Sequence, residues 1–258
     1  MNINKNNEVS KLNNLLSEWP KGAVITLSRL KEKGYSRQLI DKYKSSRWLE
    51  VVNAGAYKRY KDTIDWYGGL YGLQHSGLHI HAGAKSALEL QGFAHYLAPR
   101  MPRVYLFGPP QTRLPKWFSN YQWEQEVIFT STNLFNNLLN KGFTEYSHKE
   151  FSVRISAPER AALEMMYHVP DKQGFGEAFR ILENLTTLRP DLVQELLIRC
   201  HSVKVKRLFM YMSEKADHAW VEELSPEKVD FGRGKRVIVK NGVFDKKYQI
   251  TVEAEDNL

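Results

Sequence analysis

One cysteine, Cys200, in 258 residues rules out an intramolecular disulfide framework and any multi-cysteine zinc or iron–sulfur centre. It fits a reducing, cytoplasmic setting. No apolar run approaches the roughly 18–20 residues needed to span a bilayer, and MNINKNNEVSKLNN at the start holds no apolar stretch, so neither a membrane span nor a secretory signal is expected. There is no internal repeat, no low-complexity tract and no Pro/Ser-rich linker, so the parts of the chain are expected to pack closely. The acidic residues are scattered, with no pair that sequence places together for acid–base work.

Positive charge is present, and it is uneven. Residues 1–61 carry 13 Lys/Arg against 5 Asp/Glu, while residues 62–258 carry 24 of each. The entire net charge of +8 therefore sits in the first quarter of the chain, which marks that segment for a polyanionic partner. The 42% apolar and 12% aromatic content suffices for packed cores.

Within that basic quarter, Val9, Leu12, Leu15, Leu16 and Trp19 form one helical stripe, stopped by Pro20 and Gly22. Val24 and Ile25 read as a short edge strand. Thr26 or Ser28 can cap a second short helix ending at Gly34. Ser36 is a good cap for a third, from Arg37 to about Ser46, and this helix divides in two. Leu39, Ile40 and Tyr43 cluster on one side, and Arg37, Gln38, Asp41, Lys42 and Ser45 on the other. WLEVV, the turn Asn53-Ala54-Gly55 and AYKRY then read as a β-hairpin. This is the pattern of a winged helix-turn-helix. Arg and Gln near a helix start suit guanine and adenine edges, while Lys42, Lys44, Arg47 and the wing cations Lys58, Arg59 and Lys61 suit phosphates. The bland alternative is a three-helix scaffold with a solvated basic face, used for protein contacts.

Residues 62–77 read as a weak, glycine- and aromatic-rich helix. Strands are expected at Leu78–His81, Arg103–Phe107, Glu126–Thr130 and Phe151–Ile155, and a helix at 83–92. Ser156 is expected to cap a helix with Pro158 and Glu159 in its first turn. Three more helical stripes follow: Ala178/Ile181/Leu182/Leu185, Val193/Leu196/Leu197/Cys200 and Val205/Leu208/Phe209/Met212. VIVKNGVF carries an Asn-Gly hairpin signal, with a further strand at Tyr248–Val252. The fold class is α+β: a winged helix-turn-helix over 1–61, then a mixed α/β domain over 62–258.

Other candidate chemistry is thin. His75, His79 and His81 invite a metal, yet two histidines on one strand face rarely make a selective site and no suitably spaced carboxylate follows; no metal and no cofactor is expected. Gly83-Ala-Lys-Ser only loosely matches a P-loop, which Ala84 breaks. Cys200 on an apolar stripe reads as a small core hydrophobe. The strongest feature is basic. Lys204, Lys206 and Arg207 lead a helix, the last two read as facing away from its apolar stripe, and Arg233, Lys235, Arg236, Lys240, Lys246 and Lys247 decorate the terminal hairpin. This patch suits nucleic acid or an acidic protein surface, or is solvated lysine guarding an edge strand.

These residues bring a family into view. AVITLSRLKEKGYSRQLIDKY, WLEVVNAGAY, GLHIHAGAKSALELQGFAHYL, VYLFGP, LPKWF, SAPERAALEMMY, ENLTTLRPDLVQELL, SVKVKRLFMYMSEKADHAW and GKRVIVKNGVFDKKYQITV, in that order, resemble the AbiEi-type antitoxins, transcriptional regulators of type IV toxin–antitoxin systems in abortive infection, a phage defence. The resemblance implies a non-enzymatic autorepressor that binds inverted repeats of double-stranded DNA in its own promoter, monomeric in solution and cooperative on DNA. It also implies a C-terminal domain that counteracts a nucleotidyltransferase-like toxin without a stable complex. Base reading would fall on Arg37, Gln38, Asp41 and Lys42, beside the helix cap Ser36, and the wing role on Lys58 and Arg59. Two other readings stay open at this point: an enzyme acting on nucleic acid or nucleotides, motivated by His79/His81 and the terminal basic patch, and a ligand-sensing repressor using the aromatics Trp66, Tyr67, Tyr71 and Trp117.

Overall fold

The computed structural model describes residues 3–93, 102–135 and 141–254, with side chains from residue 11 onward. Val9, in the first predicted stripe, thus has its side chain outside the described part. The chain is mixed α+β and forms two compact units. One comprises Met1–Ile80, Arg113–Glu126 and Glu145–Val153; the other His81–Thr112, Val127–Thr144 and Arg154–Leu258.

The first eighty residues follow the pattern in their sequence closely. Helix α1 (Ile3–Glu18) buries Leu15, followed by buried Trp19, whose indole N–H donates to the Ala23 carbonyl (2.8 Å) and fixes the turn at Pro20. Strand β1 (Ile25–Thr26) leads into α2 (Leu27–Glu32), capped by the Thr26 hydroxyl, which accepts from Arg29 N–H. The helix stops at Gly34, whose φ of +82° is open to glycine without strain. Then come α3 (Arg37–Ser45), β2 (Leu49–Asn53) and β3 (Ala56–Arg59), the strands closing an antiparallel sheet of order β1-β3-β2. Helix, strand, two helices and a hairpin returning to the first strand is the arrangement of a winged helix-turn-helix. Leu15, Trp19, Leu30, Ile40, Tyr43, Leu49 and Ala56 are among its buried side chains, each large aliphatic one contributing about 1.5–3 kcal/mol. An aspartate at Ile40 would remove that gain and leave a charge with nowhere to go.

Helix α4 (Trp66–Gln74) explains its own composition. A side chain at Gly68 would meet the Gly22 carbonyl at 1.9 Å, and one at Gly72 the Val24 carbonyl at 2.9 Å. Glycines four apart make a flat helix face on which the backbone of the β1 segment rests, with Val24 N–H donating to the Gly68 carbonyl (3.1 Å). Asp65 caps this helix at Gly68 N–H, and its other oxygen accepts from His148 and Lys149 at 2.8 and 3.1 Å.

The remaining elements are β4 (His81–Ala82), α5 (Ala84–Leu90), β5 (Arg103–Gly108), α6 (Lys116–Ser119), β6 (Glu126–Ser131), β7 (Phe143–His148), β8 (Phe151–Ser156), α7 (Pro158–His168), α8 (Phe175–Glu183), α9 (Pro190–Arg199), α10 (Val203–Lys215), β9 (Arg236–Val237), β10 (Val243–Asp245) and β11 (Ile250–Val252), with short 3-10 turns at Ala219–Val221 and Pro226–Lys228. A five-stranded sheet runs β6-β5-β4-β8-β7, β4 antiparallel to β5 and parallel to β8. Among the described residues no helix is long and apolar enough to cross a membrane.

Three expectations need correction. Ser156 does not cap α7: Ala157 holds that position, and the Ser156 hydroxyl instead donates to the Glu164 carboxylate (2.7 Å). The strand expected over Leu78–His81 forms only at His81–Ala82. The Asn241-Gly242 turn does not join paired strands. β9 runs parallel to β11, and β10 pairs with β11 in the antiparallel sense, so the hairpin turns later, at 246–249. A strand pattern that sequence reading passed over is β7, whose polar-rich FTEYSH hides its period of two.

Candidate nucleic-acid interface

Helix α3 begins where the Ser36 hydroxyl accepts from Leu39 N–H (3.2 Å), one of the groups a helix start leaves unsatisfied. From there the two sides separate as the 3.6-residue period requires. Ile40 and Tyr43 are buried, while Arg37, Gln38, Asp41, Lys42 and Ser45 are exposed. Lys42 and Lys44 fall in the last turn, where the helix dipole favours cations. Arg37, at the first helical position, faces the positive end of that dipole, a small cost that an exposed arginine recovers only against an external anion. Lys44 pairs with Asp41 at 3.0 Å across one turn.

The wing cations differ among themselves. The Lys58 ammonium donates to the Asp62 carbonyl (2.7 Å) and lies 3.4 Å from Glu50, and the Arg59 guanidinium donates to the Trp19 carbonyl (2.9 Å). Both are spent largely on holding the hairpin. Arg47 and Lys61 are exposed, each with a positive φ (59° and 63°).

Among the C-terminal cations, the expected outward face of α10 is not there. Lys206 and Arg207 are only 4% and 3% exposed. The Arg207 guanidinium donates to the carbonyls of Phe231 (2.8 Å), Gly232 (3.1 Å), Gly234 (2.6 Å) and Gln249 (3.3 Å), tying the terminal segment to the helix. The Lys204 ammonium caps the end of α7 at the Tyr167 and Val169 carbonyls (3.0 and 2.5 Å), and burial lowers its pKa. Arg233, Lys235, Arg236, Lys240, Lys246 and Lys247 are exposed. Of these, Lys247 is paired with Glu214 at 2.7 Å.

The remaining candidates resolve into core. His81 is buried with its ring Nε2 2.9 Å from Glu164 Oε1, and burial lowers its pKa, whereas His79 is exposed; the two do not share a face that could hold an ion. Among the described residues no group of three metal-binding side chains comes together. The Glu164 carboxylate also accepts from Arg160 (2.9 Å) and from Ala84 N–H (3.2 Å). It thus occupies the place beside Gly83 where a P-loop would hold phosphate. Burial raises the Glu164 pKa, but His81, Arg160 and Ser156 outweigh it and hold the carboxyl at about 2. Sequence reading missed this network. Its one local sign is Arg160 and Glu164 four apart on α7, since the His81 contact bridges distant segments. Cys200 is buried at the end of α9 with its pKa pushed up to about 11 by desolvation, which makes it an inert thiol. Trp66 and Trp117, in the region read as a ligand site, are buried.

Two family models match the chain. Residues 8–99 match the N-terminal domain of the transcriptional regulator AbiEi antitoxin, and residues 101–253 match the transcriptional regulator AbiEi antitoxin of type IV toxin–antitoxin systems. The chain belongs to the AbiEi antitoxin family. Its members are transcriptional regulators by description, in keeping with the winged helix at the front of this chain. Among solved structures, the RV2827C protein from Mycobacterium tuberculosis superposes with a TM-score of 0.56 at 15% identity, over 93% of this chain and 89% of that one. At that identity the likeness is one of fold. No curated protein matches the chain.

Proposed function

We propose that this AbiEi-family regulator is a cytoplasmic autorepressor and antitoxin without catalytic activity. Residues 1–61 bind inverted repeats in its own promoter, and residues 62–258 counteract a nucleotidyltransferase-like toxin without a stable complex. The observation that carries the DNA half is the outward face of α3, where Arg37, Gln38, Asp41 and Lys42 project from a helix whose other face is core. Those side chains have the donor and acceptor patterns that base edges in the major groove require. The exposed cations Arg47 and Lys61 supply phosphate contacts. The exposed terminal cluster Arg233, Lys235, Arg236, Lys240 and Lys246 is the candidate for the antitoxin half, and the buried Arg207 supports it from beneath through its bonds to the carbonyls of Phe231, Gly232, Gly234 and Gln249.

Anisotropy titration of the full chain on its promoter repeats and on a shuffled duplex tests the first half. The expected result is that Arg37→Ala loses about 1–3 kcal/mol on the repeats and little on the shuffled sequence. Equal loss on both would remove the base-reading assignment. Co-expression with a cognate nucleotidyltransferase-like toxin tests the second half: charge reversal at Arg233, Lys235 and Arg236 is expected to abolish rescue while leaving operator binding intact. Of the two features that motivate the enzyme reading, the histidine pair no longer supports it, since His81 is committed to Glu164.

A further inference from the structure

The foot of the wing carries an aromatic pair that the DNA-binding reading does not use. In the hairpin register Glu50 stands opposite Lys58 and Leu49 opposite Arg59, and Tyr60 N–H donates to the Trp48 carbonyl (3.0 Å), so Trp48 and Tyr60 are the next cross-strand pair. Strand residues two apart share a face, which places Trp48 and Tyr60 on the same side as the Glu50–Lys58 ion pair. Leu49 on the other side is core. Trp48 is 47% and Tyr60 37% exposed, and Val51 nearby is exposed as well. Two of the six exposed large apolar side chains among the described residues thus form one cross-strand pair, while Val51, two residues from Leu49, lies on the opposite side; the paired rings mark a contact surface.

The cations frame this pair. Arg47 precedes Trp48 and Lys61 follows Tyr60 in the chain, both exposed, with the Lys61 ammonium 5.7 Å from the Tyr60 ring centroid. Among the described residues neither side chain makes a hydrogen bond or ion pair. Both sit in the left-handed region, which a β-carbon disfavours. Lys58 and Arg59, by contrast, are turned to internal carbonyls.

We infer that Trp48 and Tyr60 pack against the deoxyribose wall of duplex DNA beside the groove that α3 enters, with Arg47 and Lys61 on the flanking phosphates. Lys58 and Arg59 are then positioning residues that hold the wing. Sugar walls offer an apolar surface between rows of phosphate, and an amphipathic ring bounded by cations matches both. A second copy of this chain is the poorer occupant, because a self-association through this patch would bring together two segments that each carry the whole +8 of the protein.

The inference rests on the DNA-binding reading, and the two can fail separately. Trp48 is the one exposed tryptophan of six, four being buried and Trp123 half-buried, so acrylamide quenching of intrinsic fluorescence reports on it directly. The full chain is titrated with a random-sequence duplex at low salt. The expected result is that duplex shields a quenchable fraction of the emission in the wild type, and that Trp48→Phe abolishes this shielded fraction. The double variant Trp48→Ala/Tyr60→Ala is expected to bind about tenfold more weakly, with the slope of log affinity against log salt unchanged, because no phosphate contact is lost. Lys61→Ala is expected to lower that slope by about one unit. Lys58→Gln would leave the slope unchanged. Unaltered quenching on DNA binding, or a double variant of wild-type affinity, overturns the aromatic contact while leaving the DNA reading standing. Wild-type protein that binds no duplex overturns both. Concentration-dependent shielding of Trp48 without DNA assigns the patch to a second copy and overturns the proposal. Because both rings are exposed, the variants should melt within a degree or two of wild type, which a thermal scan verifies.

Discussion

Helices α3 and α10 start alike and end up opposite. Each is capped by a serine whose hydroxyl accepts from the N–H three residues on, Ser36 for Leu39 (3.2 Å) and Ser202 for Val205 (3.3 Å). Each carries several cations. Yet α3 turns Arg37 and Lys42 to solvent, and α10 buries Lys206 and Arg207. The width of the apolar arc makes the difference. In α3 the apolar residues stay within one side. In α10, at about 100° per residue, Met210 falls next to Lys206 and Tyr211 next to Arg207, so apolar side chains surround the helix and Val205–Ser213 is buried throughout. A basic run is therefore a surface only if its own helix has a polar side to put it on.

The sharpest test of that contrast is stability. Arg207→Ala removes the donor for four carbonyls. It is expected to cost about 3–5 kcal/mol, the range for breaking a buried charged partner. Arg37→Ala is expected to stay within about 0.5 kcal/mol, as surface substitutions do. Urea melts of the two variants measure both. Comparable losses would mean that Arg37 is structural, and the contrast would collapse.

The second test uses acid. The unit that contains α10 also holds buried groups with depressed pKa values, among them His168 at about 4 and His81, both lowered mainly by desolvation, and Glu164 at about 2. For each, the unfolded chain binds the proton more readily than the folded one, so the stability they contribute is present at neutral pH and lost as pH falls. His168 gives up its share between about pH 6.5 and 4, and Glu164 between about 4.5 and 2, each worth on the order of 3 kcal/mol. The urea midpoint should therefore fall in two stages below pH 6.5. His168→Phe is expected to shrink the upper stage, leaving the share that His81 contributes, and to leave the lower stage unchanged. A midpoint that holds constant from pH 7 to 4 in the wild type would contradict the burial of a neutral His168.

How much of this was legible in the sequence depended on range. The winged helix was readable almost residue by residue, because its signals are local: Ser36 as a cap, the Ile40/Tyr43 face, Gly34 and Gly55 at the turns. The buried network was not, because His81, Ser156 and Glu164 meet only through a sheet that joins β4 to β8. Two local signals even misled. Ser156 has the composition of a helix cap, but Glu164 claims its hydroxyl, and Asn241-Gly242 has the composition of a hairpin turn, but β11 lies between the strands that flank it. In the wing, charge alone marks Lys58 and Arg59 for phosphate, but both are committed to carbonyls that are distant or unremarkable in sequence, those of Asp62 and Trp19.

A smaller effect separates the two capped helices by function. Ser36→Ala and Ser202→Ala should each cost about 1 kcal/mol, the usual value of a serine cap. Only Ser36→Ala should also weaken operator binding, since fraying the first turn of α3 displaces Arg37 and Gln38. Equal effects of both substitutions on DNA binding would mean that the affinity follows overall stability rather than the α3 face.

The smallest effect has the opposite sign. Arg47 ends α3 at φ 59°, a conformation that costs a residue with a β-carbon about 1 kcal/mol relative to glycine. Arg47→Gly relieves the strain but enlarges the freedom of the unfolded chain, so a net gain of a few tenths of a kcal/mol is expected, about 0.5 at most. The same substitution removes one exposed cation and should lower the salt slope of DNA binding by about one unit. Arg47→Ala separates the two causes: it keeps the strain and loses the charge, so it should reproduce the DNA defect without the gain in stability. If Arg47→Ala binds DNA as the wild type does while Arg47→Gly does not, the backbone at this position matters and the charge does not, and the arginine loses its place beside Trp48 in the interface.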